Sequence, residues 1–342
     1  MSKRTIESFF KATAPPKRKK LNPDEESILS FSHHPSYPHP IAALPPSIAN
    51  PLANITRDLH PKKITNQPHL DLLYFSPFIP PRTARDLFQF LRRELPFYRV
   101  QYSIRRGGQP TQINTPRFTT VFGIDATSEF VSYPSPQADA GDGDADAQSN
   151  SIVVDTKSHQ PTPKSKYQYT PRPIPECLNK LRQHVEAAVG NGSTYNFCLV
   201  NYYASGDDSI AYHSDDERFL GPNPCIASIS LGAQRDFLMR HKPTQALGVS
   251  NQPMKFSLAE GDMVVMRGET QANWLHSVPK RKGGEAYRGR INITFRKAIV
   301  SAGTDNYYNY NVGRGAVYRW DEREGKMVVR DTNTKVTDPG VV

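Results

Sequence analysis

Cysteine, acidic charge and long apolar runs are all scarce in this chain. Its three cysteines, Cys177, Cys198 and Cys225, have spacings that fit neither a disulfide framework nor a CxxC zinc site, which excludes the stapled secreted scaffolds. Each has apolar neighbours, so they read as reduced core residues of an intracellular protein. No run approaches the ~18 apolar residues that span a bilayer. Met1-Ser2-Lys3-Arg4 leads into no hydrophobic stretch of signal-peptide type. A soluble, non-secreted monomer with no membrane partner is expected. Hydrophobic residues are only 37% of the 342, yet aromatics reach 10% and there are 30 prolines, the mixture of a packed core joined to long polar segments.

Acidic residues number 33 against 43 basic ones, and the imbalance is uneven. Residues 1–20 carry seven basic side chains against Glu7, which is six of the ten net positive charges. The remainder is mildly basic, with local runs Arg105-Arg106, Arg240-His241-Lys242 and Lys280-Arg281-Lys282 that suit phosphates as well as they suit plain solvent. Residues 1–68 read as a disordered tail, since Pro, Ser, His and Asn recur in 21–68 with neither helical nor strand period. The core is expected over 69–302, opening with the strand-like run Leu70 to Phe75. A helix near Arg82 to Leu95 follows, with Leu87, Phe90 and Leu91 on one face. A disordered insertion is expected at about 134–165, where Asp139, Asp142, Asp144 and Asp146 alternate with Gly and Ala. Pro175 then opens a second helix bearing Leu178, Leu181, Val185 and Val189.

From Asn196 the pattern changes to short β-rich runs punctuated by turns such as Gly206-Asp207-Asp208 and Glu260-Gly261-Asp262. Many short strands preceded by two covering helices predict an α+β protein built on a double-stranded β-helix, or jelly roll. Residues 303–342 form a C-terminal extension whose run Tyr307-Tyr308-Asn309-Tyr310 either packs back on the sheet or touches nucleic acid.

Chemistry concentrates in two places. In His213-Ser214-Asp215 the i and i+2 side chains of an extended segment point the same way, and His276, far downstream, can complete a three-point face. Two histidines and one carboxylate leave three metal positions open, as an Fe(II) oxygenase requires. HxD alone fits a surface turn equally well. Further on, Arg290, Asn292, Thr294 and Arg296 share one face of a strand. Two inward arginines without anions are costly to desolvate, and a dicarboxylate such as 2-oxoglutarate would pair with them bidentately. The strand by itself also fits an exposed charged face with Ile291, Ile293 and Phe295 as its core side.

Taken in order, Asn201-Tyr202-Tyr203, His213-Ser214-Asp215-Asp216-Glu217, Ile226 to Gly232, His276 and Arg290-x-Asn292-x-Thr294-x-Arg296 resemble the AlkB family of Fe(II)/2-oxoglutarate dioxygenases. Asp216-Glu217, Arg235-Asp236-Phe237 and Arg240-His241-Lys242 are most similar to its eukaryotic nucleic-acid repair branch. The resemblance implies that His213, Asp215 and His276 are the catalytic iron ligands, and that Asn201, Tyr203, Arg290, Asn292 and Arg296 hold 2-oxoglutarate. It implies O₂-dependent decarboxylation of 2-oxoglutarate to succinate, coupled to demethylation of N1-methyladenine and N3-methylcytosine in DNA, the carbon leaving as formaldehyde. RNA or protein demethylation by the same chemistry, or a non-catalytic nucleic-acid-binding module, are the rivals.

For substrate, Asp216 and Glu217 suit a cationic base. A flipped base would stack on Tyr169, with Phe122 as a second candidate, and Arg240 and Lys242 would meet phosphates. In the tail, Ile6, Phe9 and Phe10 share one face of a helical turn and resemble a sliding-clamp-binding peptide, although Lys3 stands where that motif usually has Gln. Pro16 to Lys20 resembles a nuclear import signal. A nuclear enzyme that docks on the clamp is expected.

Overall fold

The computed structural model describes residues 30–55, 60–133, 150–190, 192–243, 252–313 and 315–330. The clamp-like peptide, the basic run after it and the Asp/Gly/Ala stretch lie outside these residues.

Two antiparallel sheets face one another. The larger has ten strands. Its centre runs Phe118–Gly123, Phe197–Tyr203, Arg290–Arg296, Ile226–Gly232, Met263–Arg267 and Asp71–Phe75, each paired antiparallel with the next. The smaller sheet has four strands in the order Ile210–His213, Trp274–Val278, Arg235–His241 and Met254–Leu258. This is the expected jelly roll.

Helices cover the outer face of the larger sheet. One spans Pro81–Glu94 and buries Leu87, Phe88, Phe90 and Leu91. It stops because Leu95 precedes Pro96 and takes an extended conformation, the backbone that proline imposes on the residue before it. The other spans Glu176–Val189, begins after Pro175, and ends at Gly190 with a φ of 68°. Their apolar faces close one core with Val200, Ala227, Ile229, Leu231, Ile291, Ile293 and Phe295. A second cluster, with Leu199, Phe237, Met239, Val264, Met266 and Trp274, fills the space between the sheets. The strand Arg290–Arg296 is thus buried on both faces, which explains how apolar and charged residues alternate along it.

Cys177 and Cys198 are buried and all three cysteines are unpaired, as expected. Among the described residues no helix is long and apolar enough to cross a membrane.

Two boundaries need correction, and one open alternative is decided. The tail expected over 1–68 is ordered well before its end. Phe31–Ser32 pairs with Ile41–Ala42, the helix Pro46–Ala53 buries Ile48 and Leu52, and Lys62–Ile64 adds an edge strand beside Asp71–Phe75. Each apolar segment is too short to display a period, but Ile41, Ala42, Ile48 and Leu52 lie against the two covering helices, and Ile64 joins the cluster between the sheets. The insertion expected at about 134–165 ends earlier, because Asn150–Asp155 pairs with Ser128–Tyr133 and Val154 is buried; the β-branched run Ile152-Val153-Val154 gives this segment its strand character. Over its described residues, 303–313 and 315–330, the segment after 302 packs back on the sheet, one of the two expected alternatives. It forms the helix Thr304–Asn311, and the hairpin Val317–Asp321/Lys326–Arg330 joins the larger sheet through Phe97–Tyr98.

Truncating the fully buried Leu52 tests the first correction. Leu52→Ala should lower unfolding free energy by about 2–5 kcal/mol in a denaturant titration, as for other buried leucines; a change within about 0.5 kcal/mol, typical of surface sites, would return this helix to the linker.

Candidate active site

The central strand orients half of the site. Asn292 stands opposite Asn201 on one neighbour and Ser230 on the other, and Thr294 opposite Leu199 and Ser228. Alternation then turns Arg290, Asn292, Thr294 and Arg296 into a cavity of about 900 Å³, also lined by Asn201 and Tyr203.

The smaller sheet supplies the other half. His213 ends its strand directly opposite His276, with ring centroids 4.2 Å apart. Asp215 follows in a loop whose position is fixed by its own N–H, which donates to Gln271 Oε1 at 2.8 Å. One ligand atom from each of His213, Asp215 and His276 lies within 4.8 Å of the others. His213 Nδ1 is engaged with the Ala211 carbonyl oxygen at 2.9 Å, which leaves Nε2 facing Asp215 Oδ1 at 3.9 Å. His276 Nε2 is 4.0 Å from Asp215 Oδ2. No other such cluster of His, Cys, Asp or Glu occurs among the described residues.

Electrostatics favour the ligating forms. Burial, reinforced by the neighbouring His213, brings the His276 imidazole down to about 3, so it is neutral at physiological pH. Burial would raise the Asp215 carboxyl, but Arg296 and the two imidazoles more than offset this and hold it below the ordinary carboxylate range. A neutral imidazole and an ionised carboxylate are what a divalent metal binds.

The two arginines differ. Arg296 donates through Nη2 to Asp215 Oδ2 at 2.8 Å and through Nη1 to the Tyr307 hydroxyl. Arg290 spends one nitrogen on Ser230 Oγ at 2.9 Å, while its Nε and Nη1 are buried with no acceptor. Burial lowers this guanidinium to about 10, partly offset by the Tyr203 phenol, and its two nitrogens stay without a hydrogen-bond partner. Among the described residues no other side chain has two buried nitrogens left so. A buried cation with two orphan donors is the complement of a carboxylate, so the residues present fit both a metal and the distal carboxylate of 2-oxoglutarate.

The description of the 2OG-Fe(II) oxygenase superfamily matches residues 71–296. The chain belongs to this superfamily. It is similar to the DNA oxidative demethylase ALKBH2 of Homo sapiens, 40% identical over 134 residues, which is 39% of this chain and 50% of that protein. The Arabidopsis thaliana protein of the same name is 40% identical over 125 residues, 32% of this chain and 39% of that one. The alpha-ketoglutarate-dependent dioxygenase alkB homolog 3 of Homo sapiens is 40% identical over 122 residues, 35% of this chain and 41% of that one. The chain spans about half or less of the length of these relatives.

All eight residues expected to hold iron and 2-oxoglutarate line the one cavity. The expected substrate residues scatter. Glu217 lines the cavity, whereas Asp216 is exposed and paired with Lys242 Nζ at 2.7 Å. Arg240 is exposed and stacks on Tyr212, its guanidinium 4.0 Å from the ring centroid. Tyr169 lies off the cavity, its hydroxyl donating to Asn309 Oδ1 at 2.8 Å and its ring packed on the inner core. Phe122 is a correction: it is fully buried among the residues beneath the helices, edge-on to Tyr37, and cannot meet a base. Sequence reasoning missed Arg117, whose Nε donates to Asn201 Oδ1 at 2.7 Å, and Gln271 behind Asp215. Neither carries a motif. Tyr307 was visible in its Tyr-rich run but had no assignable role.

Two outcomes test the metal set. His213→Ala, Asp215→Ala and His276→Ala should each abolish tight Mn(II) binding in calorimetry while the fold persists; retained affinity removes that residue from the set. The His276 shift also sets a pH dependence for the metal-free protein. Its folded value of about 3 lies below the ordinary 6.5, so the unfolded chain binds the extra proton between these pH values. Stability should therefore fall as pH drops through that window, by up to ~1.4 kcal/mol per pH unit. Half-buried His39, held down to about 4, adds to it with the same sign. His276→Gln should reduce the slope, and an unchanged slope would contradict the neutral, buried imidazole.

Proposed function

We propose that this chain is an iron- and 2-oxoglutarate-dependent DNA oxidative demethylase acting on cationic N-methylated bases of the N1-methyladenine and N3-methylcytosine type. The names of the ALKBH2 relatives support DNA as the substrate. The observation that carries the reading is Glu217. It lines the same cavity as the metal set, its Oε1 accepts from Tyr307 at 2.8 Å, and its Oε2 is buried without a partner. Burial, then the charge of Asp215, raises this carboxyl above its ordinary range by more than nearby Arg296 and the Tyr307 hydroxyl offset. A methylated adenine or cytosine supplies both a delocalised positive charge and an exocyclic N–H donor. Asp216, tied to Lys242 at the surface, serves less well.

His213, Asp215 and His276 would hold the iron, and Arg290 the distal carboxylate of 2-oxoglutarate. Asn201, steadied by Arg117, and Asn292, which donates to Ser228 Oγ and to the Ile229 carbonyl oxygen, shape the floor between them. The bound metal supplies O₂ activation: 2-oxoglutarate becomes succinate and CO₂, one oxygen enters the N-methyl group, and the hydroxymethyl product releases formaldehyde. The protein's own part is to orient the two substrates and to exclude water with the apolar walls of Leu199, Met266 and Phe237. A duplex substrate would have to deliver its base flipped out of the stack. Arg240 and Lys242 remain the candidates for phosphate contacts.

The tail residues Ile6, Phe9 and Phe10 and the basic run Pro16 to Lys20 support a nuclear protein that docks on a sliding clamp. Equal clamp binding by a peptide of residues 1–20 and by its Phe9→Ala/Phe10→Ala form would reject that docking.

The decisive experiment loads the full chain anaerobically with Fe(II) and 2-oxoglutarate, then admits O₂ with a DNA or RNA oligonucleotide bearing one methylated base. Succinate formation together with loss of the methyl mass from DNA is expected; succinate without demethylation of DNA would overturn the reading. Arg290→Lys should raise the KM for 2-oxoglutarate at least ~10-fold, because an ammonium cannot reproduce a planar fork.

A further inference from the structure

The cavity has a wall that the superfamily match does not include. The match ends at Arg296, yet Ile299, Val300, Gly303, Asn306, Tyr307 and Tyr310 all line the cavity. Half of this wall belongs to the helix Thr304–Asn311, a sequence of Thr, Tyr, Asn and Asp with little intrinsic helical preference. Tertiary hydrogen bonds hold it instead. Asp305 Oδ1 accepts the backbone N–H groups of Gln168 and Tyr169 at 3.1 and 3.3 Å, and Asn309 Oδ1 accepts the Tyr169 hydroxyl. The Tyr308 hydroxyl donates to the Gly123 carbonyl oxygen at 2.8 Å and accepts the Arg172 N–H at 2.8 Å. The Asn311 carbonyl oxygen accepts from Thr119 Oγ1 at 2.7 Å.

The helix so fixed presents Tyr307 to the two sides of the site at once. Its ring packs edge-on against Phe219 and Phe197, with centroids 5.2 and 5.7 Å away. Its hydroxyl accepts from Arg296 Nη1 and donates to Glu217 Oε1 at 2.8 Å. One hydroxyl proton is thereby committed to one oxygen of Glu217, while the other oxygen of this cavity-lining side chain is buried without a partner.

We infer that Tyr307 is a specificity-determining positioning residue: its hydroxyl holds Glu217 so that Oε2 accepts the exocyclic amine of a methylated adenine or cytosine and refuses a base that presents a carbonyl there. This rests on the demethylase reading and adds to it a residue and a helix outside the matched segment. Two acceptors facing one another leave both unpaired in a desolvated site, and that penalty is what makes a fixed carboxylate selective. A carboxylate free to rotate swings away and loses the penalty along with the contact.

The test compares two single-stranded oligonucleotides of the same sequence, one with 3-methylcytosine, which carries an amine, and one with 3-methylthymine, which carries a carbonyl in its place. The ratio of their kcat/KM values is measured for the wild type, Tyr307→Phe and Tyr308→Phe, together with anaerobic binding of both oligonucleotides. Tyr307→Phe keeps the ring and so the packing. It also disturbs Arg296, but that disturbance acts on both substrates and cancels in the ratio. The wild type should prefer the amine-bearing base, and Tyr307→Phe should cut that preference about tenfold, the scale of one hydrogen bond to a charged group, in turnover and in binding alike. Tyr308→Phe loosens the helix on its far side and should leave the ratio unchanged. An unchanged ratio in Tyr307→Phe, or an equal fall in Tyr308→Phe, overturns the inference while the demethylase reading stands. Failure of the wild type to demethylate either oligonucleotide overturns both.

Discussion

The buried ion pair between Arg296 and Asp215 joins the two sheets at the point where the chemistry is placed. Arg296 comes from the centre of the larger sheet, and Asp215 from the loop that leaves the smaller one. Both side chains are 4% exposed. Neither charge could be buried there alone, since removing either partner leaves an uncompensated charge in a desolvated site. Burial would weaken the guanidinium's hold on its proton, but Asp215 more than restores it and holds Arg296 above the ordinary range. The carboxylate in turn stays ionised beside two imidazoles. The jelly roll could close over a hydrocarbon core without this pair; what the pair adds is a fixed carboxylate orientation between His213 and His276.

That arrangement also divides the labour of the two arginines. Spacing along the strand makes Arg290 and Arg296 look equivalent, two turns of the same alternation toward one dicarboxylate. In the folded protein Arg296 has spent both terminal nitrogens on Asp215 and the Tyr307 phenol and keeps only Nε without an acceptor, whereas Arg290 keeps two donors unspent. The difference depends on what stands across the cavity from each, information carried by the loop after His213 and by the helix after residue 303.

Much of the architecture was legible because it is built from local signals. The β-branched runs around the site, the proline-opened helices and the His-x-Asp…His…Arg-x-Asn-x-Thr-x-Arg order each declare themselves over a few residues. What stayed hidden was held by distant partners. Ile41, Ile48 and Leu52 form no periodic pattern and are ordered only because two helices offer them a surface. Thr304–Asn311 is helical through bonds to residues more than a hundred positions away. Phe122 was misjudged because its strand is buried on both faces, so nothing in the alternation separates a side chain facing the cavity from one facing the helices. Tyr169, a plausible stacking ring on sequence, turned out to anchor the helix that carries Tyr307.

Burial of Arg290–Arg296 on both faces gives its seven residues two kinds of fragility in strict alternation. A change at Ile291, Ile293 or Phe295 damages the packing under the helices, so the cell would hold fewer folded molecules, each still competent. At Arg290 or Asn292 the same number of molecules would accumulate, each deficient, whereas a change at Arg296 costs both, because Asp215 is left buried without its partner. Arg296 aside, an inherited substitution here would therefore act through abundance or through competence according to the parity of its position, and a chaperone or a stabilising second-site change could rescue the odd-numbered residues but not the even-numbered ones.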